Sequence, residues 1–431
     1  VDEMKIQAVT IGGFKNIFDV RLLLDNITAL VSLNNFGKSN VLTAIDFGVD
    51  FINASIAVKK EMMANTNFIP LNNSMSGQNF RFELDMLTTF NDKEYQVIYG
   101  YEFCWKIDET SEPTIIFEYL KYRPTVNGQK YTQIINRDVN KSLYKSSEKG
   151  RCSSKIKVGM TELVVNKLLA YDEIFSSPLI QRLNALKFYM ENHLDVKSFY
   201  RPDFIIQKGL DDVAITASNL PRVVYQLKEN YSEKFILLLD VYRNLFPNIE
   251  DVIVKRYEIN AEDAVPVPKE APFVISNDLY VLFVKDKRLM QPIDFAMMSD
   301  GAKRVFMILV KLLLADISNV SLVAIEEPEN SVHPNLFRAY IQIISELVDN
   351  CRIIITSHSP YIISYLDPSW VYVGINKRAG IADFYTFKKS GQRSLQQDAD
   401  RFDMSMGDYL FSLLSDMDTD WEEYLECDMG G

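Results

Sequence analysis

Ser32-Leu33-Asn34-Asn35-Phe36-Gly37-Lys38-Ser39 is the stretch whose reading decides this chain. Before it, Ile27 to Val31 reads as a buried strand. After it, Asn40 to Phe51 opens a run with Val41, Ile45, Val49 and Ile52 at helical spacing. A strand, a tight polar loop ending in Gly-Lys-Ser and then a helix is the context a phosphate-binding loop needs. Backbone N–H groups of Asn34, Asn35, Gly37 and Asn40 can wrap an anion, and the helix N-terminus adds partial positive charge. Lys38 can reach the β- and γ-phosphates of ATP, and the Ser39 hydroxyl can ligate Mg2+. One position departs from the G-x-x-x-x-G-K-[ST] pattern: Ser32 stands at the first glycine. A serine is tolerated there only if the local φ suits a residue with a Cβ.

With 431 residues the chain can build two or three lobes around a substantial core. A hydrophobic fraction of 47% predicts a folded globule rather than disorder. No apolar run is long enough to span a membrane, and the start carries no signal-peptide pattern, so a cytoplasmic location is expected. Val1-Asp2-Glu3 read as an added remnant before a native start at Met4. Cys104, Cys152, Cys351 and Cys427 are far apart and form neither a metal site nor a disulfide frame. A net charge of −12 argues against a whole surface built for nucleic acid, though not against a local basic groove.

Lys5 to Gly12 and Asp19 to Leu24 read as two strands joined by Gly13-Phe14-Lys15-Asn16, an antiparallel edge in front of the loop. Phe14 is expected in the core. From Asn79 to Asn136 alternating segments (80–84, 95–99, 102–107, 114–122) predict a small inserted antiparallel sheet, with Asn127-Gly128 as a hairpin turn. Asp138 to Val158 carries Lys141, Lys145, Lys149, Arg151, Lys155 and Lys157 and reads as a solvated loop, with nucleic acid or an acidic partner as the functional alternative. Thr161 to Leu194 and Pro221 to Phe246 have helical spacing, and Val252 to Ile259 and Phe273 to Lys285 return to strands. No long coiled coil and no internal repeat is evident.

A second cluster begins at Met298-Ser299-Asp300-Gly301-Ala302-Lys303-Arg304, ahead of a buried helix over Val305 to Ala315. Ser299 and Gly301 offer a hydroxyl and backbone N–H groups to an anion. Ser321 to Ile325 reads as a central parallel strand and ends in Glu326-Glu327-Pro328-Glu329. Two carboxylates at the tip of a buried strand require cationic partners. Glu326 is placed against the Mg2+ shell, and Glu327 against the γ-phosphate, where it orients or deprotonates the attacking water. Cys351 to Thr356 is another buried strand, ending in Ser357-His358-Ser359-Pro360. His358 can donate to a γ-phosphate oxygen there, whereas His333 reads as structural.

Taken in this order, the phosphate loop, the Ser-x-Gly, the Glu-Glu-Pro after an apolar strand and the histidine after the next strand resemble the ATP-binding-cassette ATPases. Within them the chain is similar to the soluble branch of SMC, RecF and OLD proteins. The wording Glu-Glu-Pro-Glu-Asn, with His333-Pro334 downstream, and Thr-Ser-His-Ser-Pro is nearest to OLD-type ATPases, such as the ATPase subunits of the anti-phage systems PARIS and Septu. The resemblance, over residues 4 to 375, implies an α/β ATPase head with a mixed central sheet, an inserted antiparallel sheet and a helical lobe. It implies ATP and Mg2+ as cofactors and a head-to-tail dimer, with ATP between Lys38 of one subunit and Ser299-Gly301 of the other and with Asn330-Ser331 at the seam. The Mg2+-contacting glutamine of the family has no clear counterpart; Gln78 and Gln96 are candidates. Glu326 stands where many relatives have Asp.

The expected divisions are 1–60 for the first part of the ATPase core, 61–136 for the β insertion, 137–248 for the helical lobe with the basic loop, 249–375 for the rest of the core and 376–431 for an acidic segment. OLD nucleases continue into a metal-dependent Toprim domain, and the residues that follow His358 here read as too few for one, so no nuclease domain is expected in this stretch. Asp398, Asp400, Asp403 and Asp408 read as an acidic linker rather than a metal cage. The tail from Asp398 to Asp428 interleaves apolar residues (Met404, Tyr409, Leu410, Leu413, Leu414, Trp421, Tyr424 and Leu425). It reads either as short amphipathic helices that dock a partner or neighbouring subunit or as a disordered solvated tail. The function expected is a slow ATPase switch that controls a separate effector, a nuclease or toxin of anti-phage defence, with itself as dimer partner, no membrane partner and nucleic acid left open. The alternatives are a RecF- or SMC-like repair clamp and a scaffold that binds ATP without turning it over.

Overall fold

The computed structural model describes residues 4–70, 72–90, 93–108, 110–126, 128–171, 173–191, 205–207, 219–258, 273–275, 277–330, 332–347, 351–359, 362–378, 380–416 and 419–426. Val1, Asp2, Glu3, Asn127, Ile259, Ser331, Pro360 and Cys427, named above, lie outside them, as do the ends of the 161–194 and 398–428 stretches. The chain divides into two compact units. The first takes in residues 1–190, 320–327 and 350–431, the second residues 191–319 and 328–349. The fold is mixed α/β.

In the first unit the chain runs through β1 (Met4–Phe14), β2 (Ile17–Leu23), β3 (Ile27–Val31), α1 (Lys38–Asn53) and α2 (Ile56–Met63). It continues with β4 (Phe80–Phe90), β5 (Lys93–Cys104), β6 (Thr114–Pro124), β7 (Thr132–Arg137), β8 (Ser142–Tyr144), β9 (Ser154–Lys155), α3 (Val164–Lys167), α4 (Ser177–Asn184) and β10 (Phe188–Glu191), whose last residue, Glu191, is counted in the second unit. The expected small inserted sheet is continuous with the N-terminal hairpin. β1 pairs antiparallel with β2 on one edge and with β4 on the other, giving the order β2-β1-β4-β5-β6-β7-β8-β9. The reason is burial. One face of these strands supplies Phe80, Phe82, Tyr101, Phe103 and Trp105 to the same apolar cluster as Phe14. Phe14 is fully buried, its ring 5.1 Å from that of Phe68 and 5.9 Å from that of Phe80.

Two local expectations are corrected. The helical stretch from 161 is interrupted: α3 and α4 are short, and 188–191 is the strand β10. The basic run is not a uniformly wet loop, because β8 and β9 extend the sheet through it and Lys145 is buried against the rings of Tyr122 and Phe175. A lysine with a long apolar stem over aromatic faces is an ordinary core solution.

In the second unit β11 (Ile205–Gln207), α5 (Leu220–Asn230), α6 (Ser232–Leu245), β12 (Ile249–Glu258), β13 (Phe273–Ile275), β14 (Asp278–Asp286), β15 (Ile293–Asp294) and α7 (Asp300–Ile317) follow one another. β12, β14 and β15 form one antiparallel sheet, and β11 pairs with β13. α7 buries residues on every face, including Lys311, which pairs with the buried Glu191.

The first unit then supplies β16 (Leu322–Glu326), and α8 (Pro334–Leu347) returns to the second. The chain ends in the first unit with β17 (Arg352–Ser357), α9 (Ile362–Tyr365), β18 (Val371–Ile375), β19 (Asp383–Thr386), α10 (Lys389–Arg401) and α11 (Met406–Leu414). The central sheet has the order β10-β16-β17-β3-β18-β19. β16, β17, β3 and β18 are mutually parallel, and β19 is antiparallel to β18. Buried strands of this kind need apolar residues on both faces, which Leu322–Ile325 and Ile353–Ile355 provide.

The acidic stretch after 398 is not a linker. Asp398 and Asp400 lie on α10, and Asp408 sits in the first turn of α11, whose N-cap Ser405 accepts a bond from the Asp408 N–H at 3.1 Å. Tyr424 donates to Asp398 at 2.8 Å, fastening the segment around Tyr424 to α10. Cys104, Cys152 and Cys351 are free thiols. Among the described residues no helix is long and apolar enough to cross a membrane.

Candidate functional site

The parallel strands bring three motifs to one edge of the first unit. Glu326 ends β16 opposite Thr356 of β17, and Ser357 ends β17 opposite Val31, the last residue of β3. The Ser32–Lys38 loop, Glu326-Glu327 and His358 therefore leave the carboxyl ends of β3, β16 and β17 side by side. One strand separates the acids from the loop, roughly 10 Å at the usual strand spacing. Carboxyl ends of parallel strands are where ligands bind in such sheets.

The loop is built around Lys38. Its Nζ is almost fully buried and donates to Ser32 O at 2.8 Å, Leu33 O at 3.0 Å and Ser32 Oγ at 3.2 Å. A buried ammonium ion requires such oxygens. Positive φ falls at Asn35 (59°) and Gly37 (131°), not at Ser32. The serine thus carries no backbone strain, and its Cβ meets a glycine: a Cβ on Gly374 of β18 would come within 2.8 Å of Ser32 Cβ and 2.6 Å of the Phe36 ring. Asn34 and Asn35 are exposed at the crest of the loop, and Ser39 is exposed in the first turn of α1. Gly37 caps α1 without a side-chain bond, so no side chain occupies the helix N-terminus through the cap.

Asn40 belongs to a brace that sequence reading missed. It donates to Asn16 Oδ1 at 2.8 Å, Asn16 donates to Phe36 O at 3.0 Å, and Lys15 donates to Asn40 Oδ1 at 3.2 Å. Burial lowers the Lys15 ammonium pKa. The only signal for this brace is the Gly13–Asn16 turn, where Gly13 (62°) and Lys15 (49°) both take positive φ.

At the acidic tip, Glu326 is half-buried and Glu327 turns the chain with φ 48°, a conformation that costs a residue with a Cβ about 1–2 kcal/mol. Its N–H donates to Thr356 O at 2.8 Å. Glu327 Oε1 lies 3.1 Å from His358 Nδ1. Strained backbone of this kind concentrates at functional positions. Ser39 and Glu326 offer the hard oxygen donors that Mg2+ takes when substrate phosphates complete its shell. Among the described residues no group of three or more His, Cys, Asp or Glu could hold a metal.

The remaining candidates are placed as follows. Ser299 caps α7 in the second unit, its Oγ accepting from Ala302 N at 3.3 Å, and Gly301 follows in the first turn. Tyr242 of α6 donates to Ala302 O at 3.1 Å, which fixes that helix end. His333 is exposed, and its carbonyl accepts from Leu336 N and Phe337 N as α8 begins. Gln96 is held on the antiparallel sheet by Asp85 and Arg123. Gln78 lines a small cavity with Gly12, Gly13, Asp19 and Arg81.

A family model described as "AAA domain, putative AbiEii toxin, Type IV TA system" matches residues 169–364. That stretch begins after the phosphate loop and includes Ser299, Gly301, Glu326, Glu327 and His358. No curated protein matches the chain. Among solved structures it is similar to the SMC head domain from Thermotoga maritima, at 11% identity over 89% of this chain and 99% of that one, with a TM-score of 0.43. An SmcHead bound to the C-winged helix domain of ScpA gives 12%, 90%, 99% and 0.46. The Smc head domain with an extended coiled coil bound to the C-terminal domain of ScpA, from Pyrococcus furiosus, gives 11%, 92%, 100% and 0.47.

Proposed function

We propose that this chain is an ATP-binding and ATP-hydrolysing switch that dimerises around nucleotide and controls an associated effector. The observation that carries the reading is the row of strand ends, with the Lys38 loop, Glu326-Glu327 and His358 along one edge. Lys38 exchanges its bonds to Ser32 O and Leu33 O for phosphate oxygens. The uncapped start of α1 presents N–H groups to the same anion. Ser39 and Glu326 would hold Mg2+, which when bound draws charge from the phosphates. Glu327 orients the attacking water and takes its proton, and His358 holds the Glu327 carboxylate and lies ready to meet a γ-phosphate oxygen. Ser299 and Gly301 would complete the site from a second copy.

The motif wording resembles that of OLD-type ATPases, and the matched description names a toxin–antitoxin setting. Both support control of a toxin or nuclease in anti-phage defence. A second reading, a DNA-handling clamp, is favoured by one observation: Lys141, Lys155 and Lys157 line a single cleft of about 620 Å³.

The test is ATP binding and turnover by the purified chain beside Glu327→Gln and Lys38→Ala, with solution mass followed with and without ATP. The switch requires turnover in the wild type, bound ATP without turnover in Glu327→Gln, and no binding in Lys38→Ala. Binding without turnover in the wild type would leave an ATP-bound scaffold. ATP-dependent DNA binding, lost with Lys155→Glu, would favour the clamp.

A further inference from the structure

The outer face of α1 carries a feature that the nucleotide reading does not use. Thr43, Asp46, Asp50 and Asn53 follow one another at spacings of three, four and three residues, so they form a single stripe along the helix. The stripe runs about 15 Å at the helical rise. It forms one wall of a cleft of about 510 Å³, within the size range of small-molecule sites. The other wall is apolar: Val58 and Met62 of α2, then Phe68. Asp46 is partly buried, and Asp50 stands exposed at the mouth.

The polar wall offers acceptors. The Thr43 hydroxyl donates to Ser39 O at 2.7 Å, which leaves its oxygen as an acceptor. Asn53 turns its amide N–H to Leu186 O at 2.9 Å, which leaves Oδ1. Asp46 and Asp50 add two carboxylates. Among the described residues no lysine or arginine lines the cleft. The nearby Lys59 of α2 is buried and capping α1, donating to Ala54 O and to Ile52 O at 3.3 Å. Desolvation, and then the charge of Asp50, raise the Asp46 carboxyl to about 7, and desolvation raises Asp50 as well. Burial and the like charge of Asp50 disfavour the ionised form of Asp46, which a cationic ligand would favour.

A ligand for this cleft must be rich in N–H donors, positively charged, and apolar between its charges. We propose that the cleft binds a linear alkyl polyamine, with ammonium groups on Asp46 and Asp50 and the methylene chain against Met62, Val58 and Phe68. A metal ion fits less well, because the apolar wall would leave half of its shell without donors. A guanidinium on a short stem would not fill the length of the stripe.

The test is calorimetric titration of the full-length chain with spermidine, without nucleotide, at pH 8 and fixed ionic strength. The expected result is saturable binding of one spermidine per chain. Asp46→Asn/Asp50→Asn should weaken it at least tenfold without lowering Tm, because the variant removes two unpaired like charges. Val58→Lys, which places an ammonium group in the cleft from an exposed position, should abolish it and leave the fold intact. Absence of saturable heat in the wild type overturns the proposal. So does equal binding by the double variant, or displacement of spermidine by an equal concentration of MgCl2. These outcomes are independent of ATP turnover, so the polyamine site and the ATPase reading can fail separately.

Discussion

His358 Nδ1 lies 3.1 Å from Glu327 Oε1, joining the ends of two neighbouring parallel strands. Glu326 pairs across the sheet with Thr356, so the residue after each strand end is carried toward the other. A carboxylate held in this way is restrained in position, which suits a group that must accept a proton. Glu327→Gln should therefore lower ATP turnover by about 10²–10⁴-fold while ATP binding persists. His358→Ala should lower turnover by roughly tenfold through loss of that restraint, since positioning errors alone cost activity. Single-turnover kinetics with the binding constant measured separately decides this. An equal loss of binding in both variants would show that the pair holds nucleotide and does not act on water.

The same glutamate is strained at φ 48°. Glycine takes that conformation without the Cβ penalty, though it gains freedom in the unfolded chain. Glu327→Gly should leave stability unchanged or raise it by up to about 1 kcal/mol, and should abolish turnover. Denaturant unfolding beside the turnover assay reads both. A stability loss above about 1 kcal/mol would mean that the side chain, and not function, holds the backbone there.

Much of the arrangement of the candidate site was legible in the sequence because each motif sits where a strand must stop. Ile27–Val31 and Leu322–Ile325 are apolar without interruption, so the polar residues that follow could only be at strand ends. Side-by-side placement then needed only the parallel sheet. What could not be read was whatever depends on pairing between distant segments. Nothing in Phe80–Phe90 says that it pairs with β1, which made the large sheet look like a small insertion. The bracing of the loop by Asn16 through Phe36 O is likewise a contact between two turns with no shared period. Lys145 looked like one charge among six, and only the folded chain shows its stem among aromatic rings.

Ser32 and Gly374 are coupled, because the Cβ that Ser32 carries fills the space that Gly374 leaves. Gly374→Ala should destabilise by about 1–3 kcal/mol, as overpacking does. Ser32→Gly alone should be mild, and the double variant should recover part of the loss. Phe36 limits that recovery, since its ring also lies within 2.6 Å of the added methyl. A double-mutant cycle by chemical unfolding gives the coupling energy. Strict additivity would mean that the loop moves away from β18 freely.

Asp46 makes stability fall with rising pH. Its folded carboxyl is raised to about 7 by burial and by Asp50, whereas an unfolded aspartate titrates near 3.8. Between those values the folded chain holds a proton that the unfolded chain has released, so unfolding becomes easier as pH rises. The contribution is fully present below the unfolded value, is lost progressively up to about 7, and changes little above it. Asp50 on α1 is the charged group that acts on Asp46, while Lys59 on α2 is engaged by carbonyl oxygens, and among the described residues no lysine or arginine lines the cleft. With partial exposure discounted, Asp46→Asn should stabilise by about 1–2 kcal/mol at pH 8 and by much less at pH 5. Thermal unfolding of wild type and variant at the two pH values measures the difference. A gain of equal size at both would place its origin in packing, because only the ionised carboxylate carries the penalty.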